Sequence, residues 1–319
     1  MDFMKQPSLK VICSLLLLLT ALIWGIAFVA QSVGTEHVGP WTFVFFRYII
    51  SALVLIPVSV ITWKRSAGQR NDLSENHVKD SSQSAWPYLI GGILCGIFLA
   101  LASYTQQAGI QYTSAGKAGF ITALYVILVP IIGLCLGKRP EHKIWFCAVL
   151  GLAGLYLISV KGGFQIGSGD LLVMLCALLF SGQILSVDHY SGRVENVVIL
   201  ADLQFFVVAV ISFFGMIVFE QPVMEDILAA AVPILYAGIL SGAVGYTLQI
   251  AAQKYTDPSV ASLIMSLEAV FSALAGWVIL GEQMSVRELI GCVLVMCAVV
   301  LAQVSLPRLK RMKRENDVQ

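Results

Sequence analysis

GIFLALASYTQQAGIQ, residues 96–111, and GILSGAVGYTLQIAAQ, residues 238–253, carry the same polar pattern on two apolar backgrounds. Gly96, Ala100, Tyr104, Gln107 and Gln111 match Gly238, Gly242, Tyr246, Gln249 and Gln253, with spacings of four, four, three and four and a constant offset of 142. Spacings of three and four place each series on one face of a helix, with small residues at one end and Tyr and Gln at the other. The match continues outward: Tyr112-Thr113 parallels Tyr255-Thr256, and Ala118, Ile121, Leu124 and Gly133 parallel Ala261, Ile264, Leu267 and Gly276. The chain is therefore read as two copies of one unit.

The background of this repeat is lipid-like. Of 319 residues, 58% are apolar and 12% charged, against roughly 45–50% and 25% in soluble domains. The charge of +1 offers no basic surface for nucleic acid. A helix needs about 20 mostly apolar residues to cross a bilayer. Ten such stretches are predicted, at 10–31, 42–63, 87–108, 115–136, 143–160, 169–188, 197–219, 231–253, 259–280 and 286–306. Each copy then holds five spans, an odd number, so the second enters the membrane upside down. The predicted fold class is an all-α integral membrane protein, ten transmembrane helices in two inverted five-helix repeats. The first repeat covers 9–160, the second 168–306, and a basic tail 307–319; the polar segment 64–85 reads as a flexible cytoplasmic linker.

Cytoplasmic loops retain Lys and Arg. With the N-terminus inside, sixteen of the 20 basic residues fall on the cytoplasmic side, while Lys161 and Arg287 lie opposite and Arg47 and Lys117 within spans. Both termini are expected in the cytoplasm. The first span is too long for a cleaved signal, and with no organelle signal in view the host membrane is expected to be a bacterial plasma membrane. Seven cysteines lie inside apolar runs without a C-x-x-C pair and read as core residues; four scattered histidines show no ligand spacing. Neither metal nor cofactor is implied.

Ionisable groups within the spans are the site candidates. Glu268 lies ten residues beyond Pro258, about 15 Å into the membrane, and should face the bundle interior, be paired, or carry a proton. A substrate ammonium group or a coupling proton is its expected ligand; a neutral carboxyl bonded to backbone is the alternative. Tyr125 is its repeat counterpart and is placed in the same cavity. Arg47, which cannot be deprotonated, is expected to bind a substrate carboxylate, with snorkelling or a structural partner as the alternative. Tyr104, Gln107, Tyr246, Gln249 and Trp24 complete the candidate lining, although each Tyr or Gln alone also fits an interhelical hydrogen bond. Lys117 reads as an interfacial snorkeller. Asp202 reads as stabilising a helix start or serving an inner gate.

Three segments carry a family resemblance: Ala21-Leu22-Ile23-Trp24-Gly25, Phe45-Phe46-Arg47, and Tyr112 to Pro130 (YTSAGKAGFITALYVILVP). With Ser266-Leu267-Glu268-Ala269-Val270-Phe271, Gly281-Glu282 and Gly291, they resemble the drug/metabolite transporter superfamily, specifically its members with two EamA domains. The resemblance implies ten helices, alternating access, and export or exchange of small metabolites, with spans five and ten peripheral. The sequence departs at Ala269, where the family often has Pro, and at Lys138, where an acidic residue is expected. The expected function is a secondary transporter, not an enzyme, working on small organic solutes such as amino acids, amines or drugs as a monomer or homodimer. Two other classes compete. Gly167-Ser168-Gly169-Asp170 fits the G-x-G-D string of intramembrane aspartyl proteases, yet it begins a span at the membrane edge, where Asp caps a helix. A channel would want charged rings or a carbonyl filter, and neither is visible.

Overall fold

The computed structural model describes residues 7–74, 85–113, 115–159, 167–279, 281 and 283–303. The tail 307–319 and residues 75–84 of the linker lie outside them. Fourteen α-helices are present among the described residues: α1 (Pro7–Gly34), α2 (Pro40–Ser74), α3 (Trp86–Ile110), α4 (Ala115–Thr122), α5 (Tyr125–Cys135), α6 (His142–Ser159), α7 (Ser168–Ser191), α8 (Val197–Phe219), α9 (Met224–Ala229), α10 (Ala231–Leu235), α11 (Thr247–Gln253), α12 (Pro258–Met265), α13 (Glu268–Ile279) and α14 (Val286–Gln303). A π-helical stretch, Tyr236–Tyr246, joins α10 to α11.

Among the described residues these make ten crossings. Nine are long and apolar enough to span a bilayer, and a shorter apolar helix, His142–Ile158, supplies the remaining one. Spans four and nine are each built of two half-helices, α4 with α5 and α12 with α13. Span eight runs through α10, the π-stretch and α11. The segment expected to be a flexible linker from residue 64 instead continues α2 as helix to Ser74. Extending a helix that the apolar span has already formed needs no new nucleus.

The repeats interlock through matching contacts. α1 packs on the π-stretch, α11, α12 and α13 of the second repeat, while its counterpart α7 packs on α3, α4 and α5 of the first. A Cβ on Gly96 would stand 2.6 Å from Val207 and 2.9 Å from the Gln204 carbonyl; one on Gly238 would stand 2.8 Å from Ile50 and 3.0 Å from the Arg47 carbonyl. The small residues of the opening pattern are thus the sites where α3 lies on α8 and the π-stretch on α2. Such close approach gives dispersion contact that side chains in lipid cannot otherwise gain. α6 and α14 pack against each other, as expected for peripheral spans. Large apolar side chains such as Leu15, Leu53, Phe146, Val218 and Val278 point outward, where a bilayer replaces a core.

Charged pairs sit at span ends. Lys117 Nζ lies 2.5 Å from Asp170, so the cation read as a snorkeller instead meets the carboxylate at the start of α7. Lys138, the departure from the family pattern, pairs with Asp188 in the last turn of α7. Asn196, not Asp202, caps α8: its side chain accepts from Val198 N at 3.0 Å. Asp202 lies deeper and is buried.

Candidate functional site: a cavity between two broken helices

Spans four and nine break at equivalent points. Leu124 N donates to Ile121 O at 3.1 Å and Val126 N to Ala123 O at 3.0 Å; Leu267 N donates to Ile264 O and Ala269 N to Ser266 O, both at 3.2 Å. These i to i−3 bonds tighten the chain for one turn and free backbone groups. The break beside Glu268 forms with Ala269 in place of proline, because the tightened turn itself interrupts the ladder. Tyr125 and Glu268 each begin the second half-helix, and the Tyr125 hydroxyl donates to Glu268 Oε1 at 2.9 Å. Two counterparts of the repeat thus touch, joining the halves at their common centre. Positive helix ends converge there.

Around this pair lies a partly open cavity, and its walls include Trp24, Gln31, Arg47, Tyr125, Tyr246 and Glu268. Arg47 and Glu268 are each 3% exposed. The guanidinium donates to Ser241 Oγ at 2.9 Å and reaches Gln31 Oε1 at 3.5 Å, and it lies 5.1 Å from the Tyr48 ring centroid. Its Nε is buried without a hydrogen-bond partner. Among the described residues, the ion pairs are made by Lys117, Lys138 and Lys143 with Asp170, Asp188 and Glu141; neither Arg47 nor Glu268 joins one. Two ionisable groups of opposite sign therefore share a membrane cavity without a counter-ion within 4 Å among the described residues. Trp24 donates from Nε1 to Ser241 O at 3.0 Å and tilts against Tyr246, ring centroids 4.7 Å apart. The π-stretch that presents Ser241 and Tyr246 is a helix distortion of the kind found at working sites.

Six of the eight residues singled out from sequence line this cavity: Trp24, Arg47, Tyr125, Tyr246, Gln249 and Glu268. Tyr104 does not. It stacks on Trp41 with ring centroids 3.8 Å apart. Gln107 does not line it either; it is fully buried beside the wall and donates to Gln31 O at 3.2 Å. Its neighbour Gln106 takes the lining position and donates to Thr122 Oγ1 at 3.2 Å. Successive helical side chains point about 100° apart, so the rotation of α3 selects one glutamine over the other. Sequence reasoning also missed Gln31, Gln183 and Ser241. Their one signal was polarity inside an apolar span. Asp170, from the G-x-G-D string, accepts from Gly167 N at 2.7 Å and Thr113 Oγ1 at 2.8 Å besides Lys117, the contacts of a helix-capping, ion-paired carboxylate.

Comparison with known proteins agrees with this architecture. The EamA-like transporter family matches the chain twice, over residues 11–160 and 167–303. The chain belongs to that family, and it is a multi-pass membrane transporter protein built of two EamA repeats. It is 31% identical to an uncharacterized transporter of Archaeoglobus fulgidus over 286 residues, covering 89% of this chain and 83% of the relative. It is 25% identical to the uncharacterized transporter YoaV of Bacillus subtilis over 305 residues, covering 91% and 96%. A protein of known crystal structure shares the fold with a TM-score of 0.70 at 21% identity, covering 92% of this chain and 98% of that one.

Proposed function

We propose that the chain is a secondary carrier that exports or exchanges small organic solutes, among them amino acids, amines or drugs, by alternating access across the plasma membrane. The observation that carries the reading is the cavity itself: a buried guanidinium and a buried carboxylate, unpaired with each other, at the crossing of two broken helices. A charge in that position is costly, and a solute bearing both an anionic and a cationic group would meet both needs. Arg47 offers Nε and Nη1 to a carboxylate or similar anion, and Glu268 accepts an ammonium group or a coupling proton. Tyr125 orients the Glu268 carboxylate, and Trp24, Phe28 and Tyr246 supply apolar surface for the body of the solute. The repeat supports alternating access because each half can adopt the conformation of the other. Both termini face the cytoplasm in this reading, as the placement of Lys and Arg requires.

Radiotracer counterflow in proteoliposomes tests it, with a panel of labelled amino acids and amines. Trans-acceleration of at least one of them is expected. In Glu268→Gln the rate should fall at least tenfold for a cationic substrate, and any pH dependence should flatten. An unchanged rate and pH profile in Glu268→Gln would remove the assigned role.

A further inference from the structure

Glutamines are hydrogen-bonded to one another at one end of the cavity. Gln249 Nε2 donates to Gln183 Oε1 at 3.2 Å and to Gln253 Oε1 at 2.8 Å, and Gln253 Nε2 donates to Ile184 O at 3.4 Å. This ladder ties α11 to α7, spans eight and six. Gln183, Ile184 and Gln249 line the cavity, while Gln253 stands one turn further toward the face where α1 begins and α14 ends. Along α11, Gln253 stands between the cavity-lining Gln249 and that termini face.

The repeat places Gln107 in α3 and Gln111 at its C-cap at the equivalent stations of the opposite end, with Gln107 facing α1. There the bonding is thinner. Gln107 Nε2 reaches the Gln31 carbonyl, the one bond of Gln107 against three in the other ladder, while unpartnered buried amide atoms occur at both ends, Gln107 Oε1 at one and Gln183 Nε2 and Gln249 Oε1 at the other. Gln111 is exposed, whereas its counterpart Gln253 is 2% exposed. Gln249 and Gln253 are thus bonded to each other, whereas Gln107 bonds to Gln31 and Gln111 is exposed, an asymmetry that two exchanging conformations of one unit would show.

We propose that Gln183, Gln249 and Gln253 form the termini-side gate of the cavity, closed in this structure, and that Gln31, Gln107 and Gln111 form its far-side counterpart. The inference rests on the alternating-access reading. Neutral amides suit a gate, since their net strength is modest and opening them strands no charge in lipid. When the first ladder parts, Gln111 moves inward to take up with Gln107 the place that Gln253 holds with Gln249.

The test uses the full chain with its seven cysteines replaced and Ala27→Cys as a cavity reporter, in liposomes, with a membrane-impermeant methanethiosulfonate added from either face. Thr35→Cys and Gly192→Cys, at opposite ends of the bundle, report which face is which. The parent should react at least tenfold faster from the far side than from the termini side; equal rates overturn the assignment without any gate mutation. Gln249→Leu with Gln253→Leu should raise the termini-side rate at least tenfold, while Gln107→Leu, which weakens the far-side set instead, should not raise it. A double variant that elutes as folded protein and reacts at the parent's termini-side rate also overturns it. If that variant does not fold, Gln253→Leu alone, behind the cavity wall, should raise the termini-side rate at least threefold, and no rise is a refutation. Accelerated labelling without counterflow would keep the gate and reject the carrier.

Discussion

Arg47 and Glu268 are expensive residues to keep in a membrane, and their neighbours show how each is held. The guanidinium rests on the Tyr48 ring and on Ser241, with one edge unused. A planar fork presents two parallel donors to a carboxylate, which an ammonium does not. Arg47→Lys should therefore lower counterflow of an anionic or zwitterionic solute at least tenfold while the melting temperature of the purified protein stays within a few degrees; equal counterflow would show that only charge matters. Tyr125→Phe removes the donor to Glu268 but leaves the carboxylate in place. A lost bond to a charged group is worth about 1.5–3 kcal/mol and to a neutral one about 1 kcal/mol. A rate loss of about fivefold is therefore the expected result in the same assay where Glu268 carries a proton, and of about tenfold to a hundredfold where it is a carboxylate.

At the scale of elements, the breaks in spans four and nine and the glycine crossings decide the shape. Ala269 N makes one 3.2 Å bond, to Ser266 O, in the tightened turn. Proline at this position removes that bond but interrupts no regular ladder. Ala269→Pro should thus cost at most about 1 kcal/mol, whereas Ala273→Pro, inside α13, should cost about 3 kcal/mol or more. Thermal unfolding of the two variants in one detergent compares them directly, and equal losses would contradict the break. Gly238 has Ile50 and the Arg47 carbonyl within 3.0 Å of where a Cβ would sit. Gly238→Leu should destabilise by about 1–3 kcal/mol through overpacking and should also displace Arg47, so binding falls with stability. Gly192, whose added Cβ meets nothing within 4 Å, is the matched control at a helix end.

Across the whole molecule, ten crossings among the described residues bring the start of α1 and the end of α14 to one face. Cysteines placed at Thr35 and Gly192 should label from opposite sides of the membrane, and the latter from the side where α1 begins and α14 ends; labelling of both from one face would reject the topology. α7 is joined to span four at each end, by Lys117 with Asp170 and by Lys138 with Asp188. No side chain of the opposite pair, α1 with span nine, makes an ion pair among the described residues. The fold is thus symmetric in path and asymmetric in its charged ties.

Some of this was legible in the residues alone. Apolar run length fixes where a chain can cross lipid, because backbone groups must be satisfied within each helix, and the recurring Gly, Tyr and Gln stations revealed the repeat. Glu268, Arg47 and Tyr125 stood out because ionisable or polar groups in lipid need partners. What those partners are was decided only by the tertiary structure. Helix rotation chose Gln106 over Gln107 for the wall and turned Tyr104 onto Trp41, and the packing of distant spans brought Gln31, Gln183 and Ser241 to the same space. The physical reason is that hydrophobicity acts along the chain and is not directional, whereas a hydrogen bond requires a partner at a set distance and angle, supplied by residues far away in the sequence.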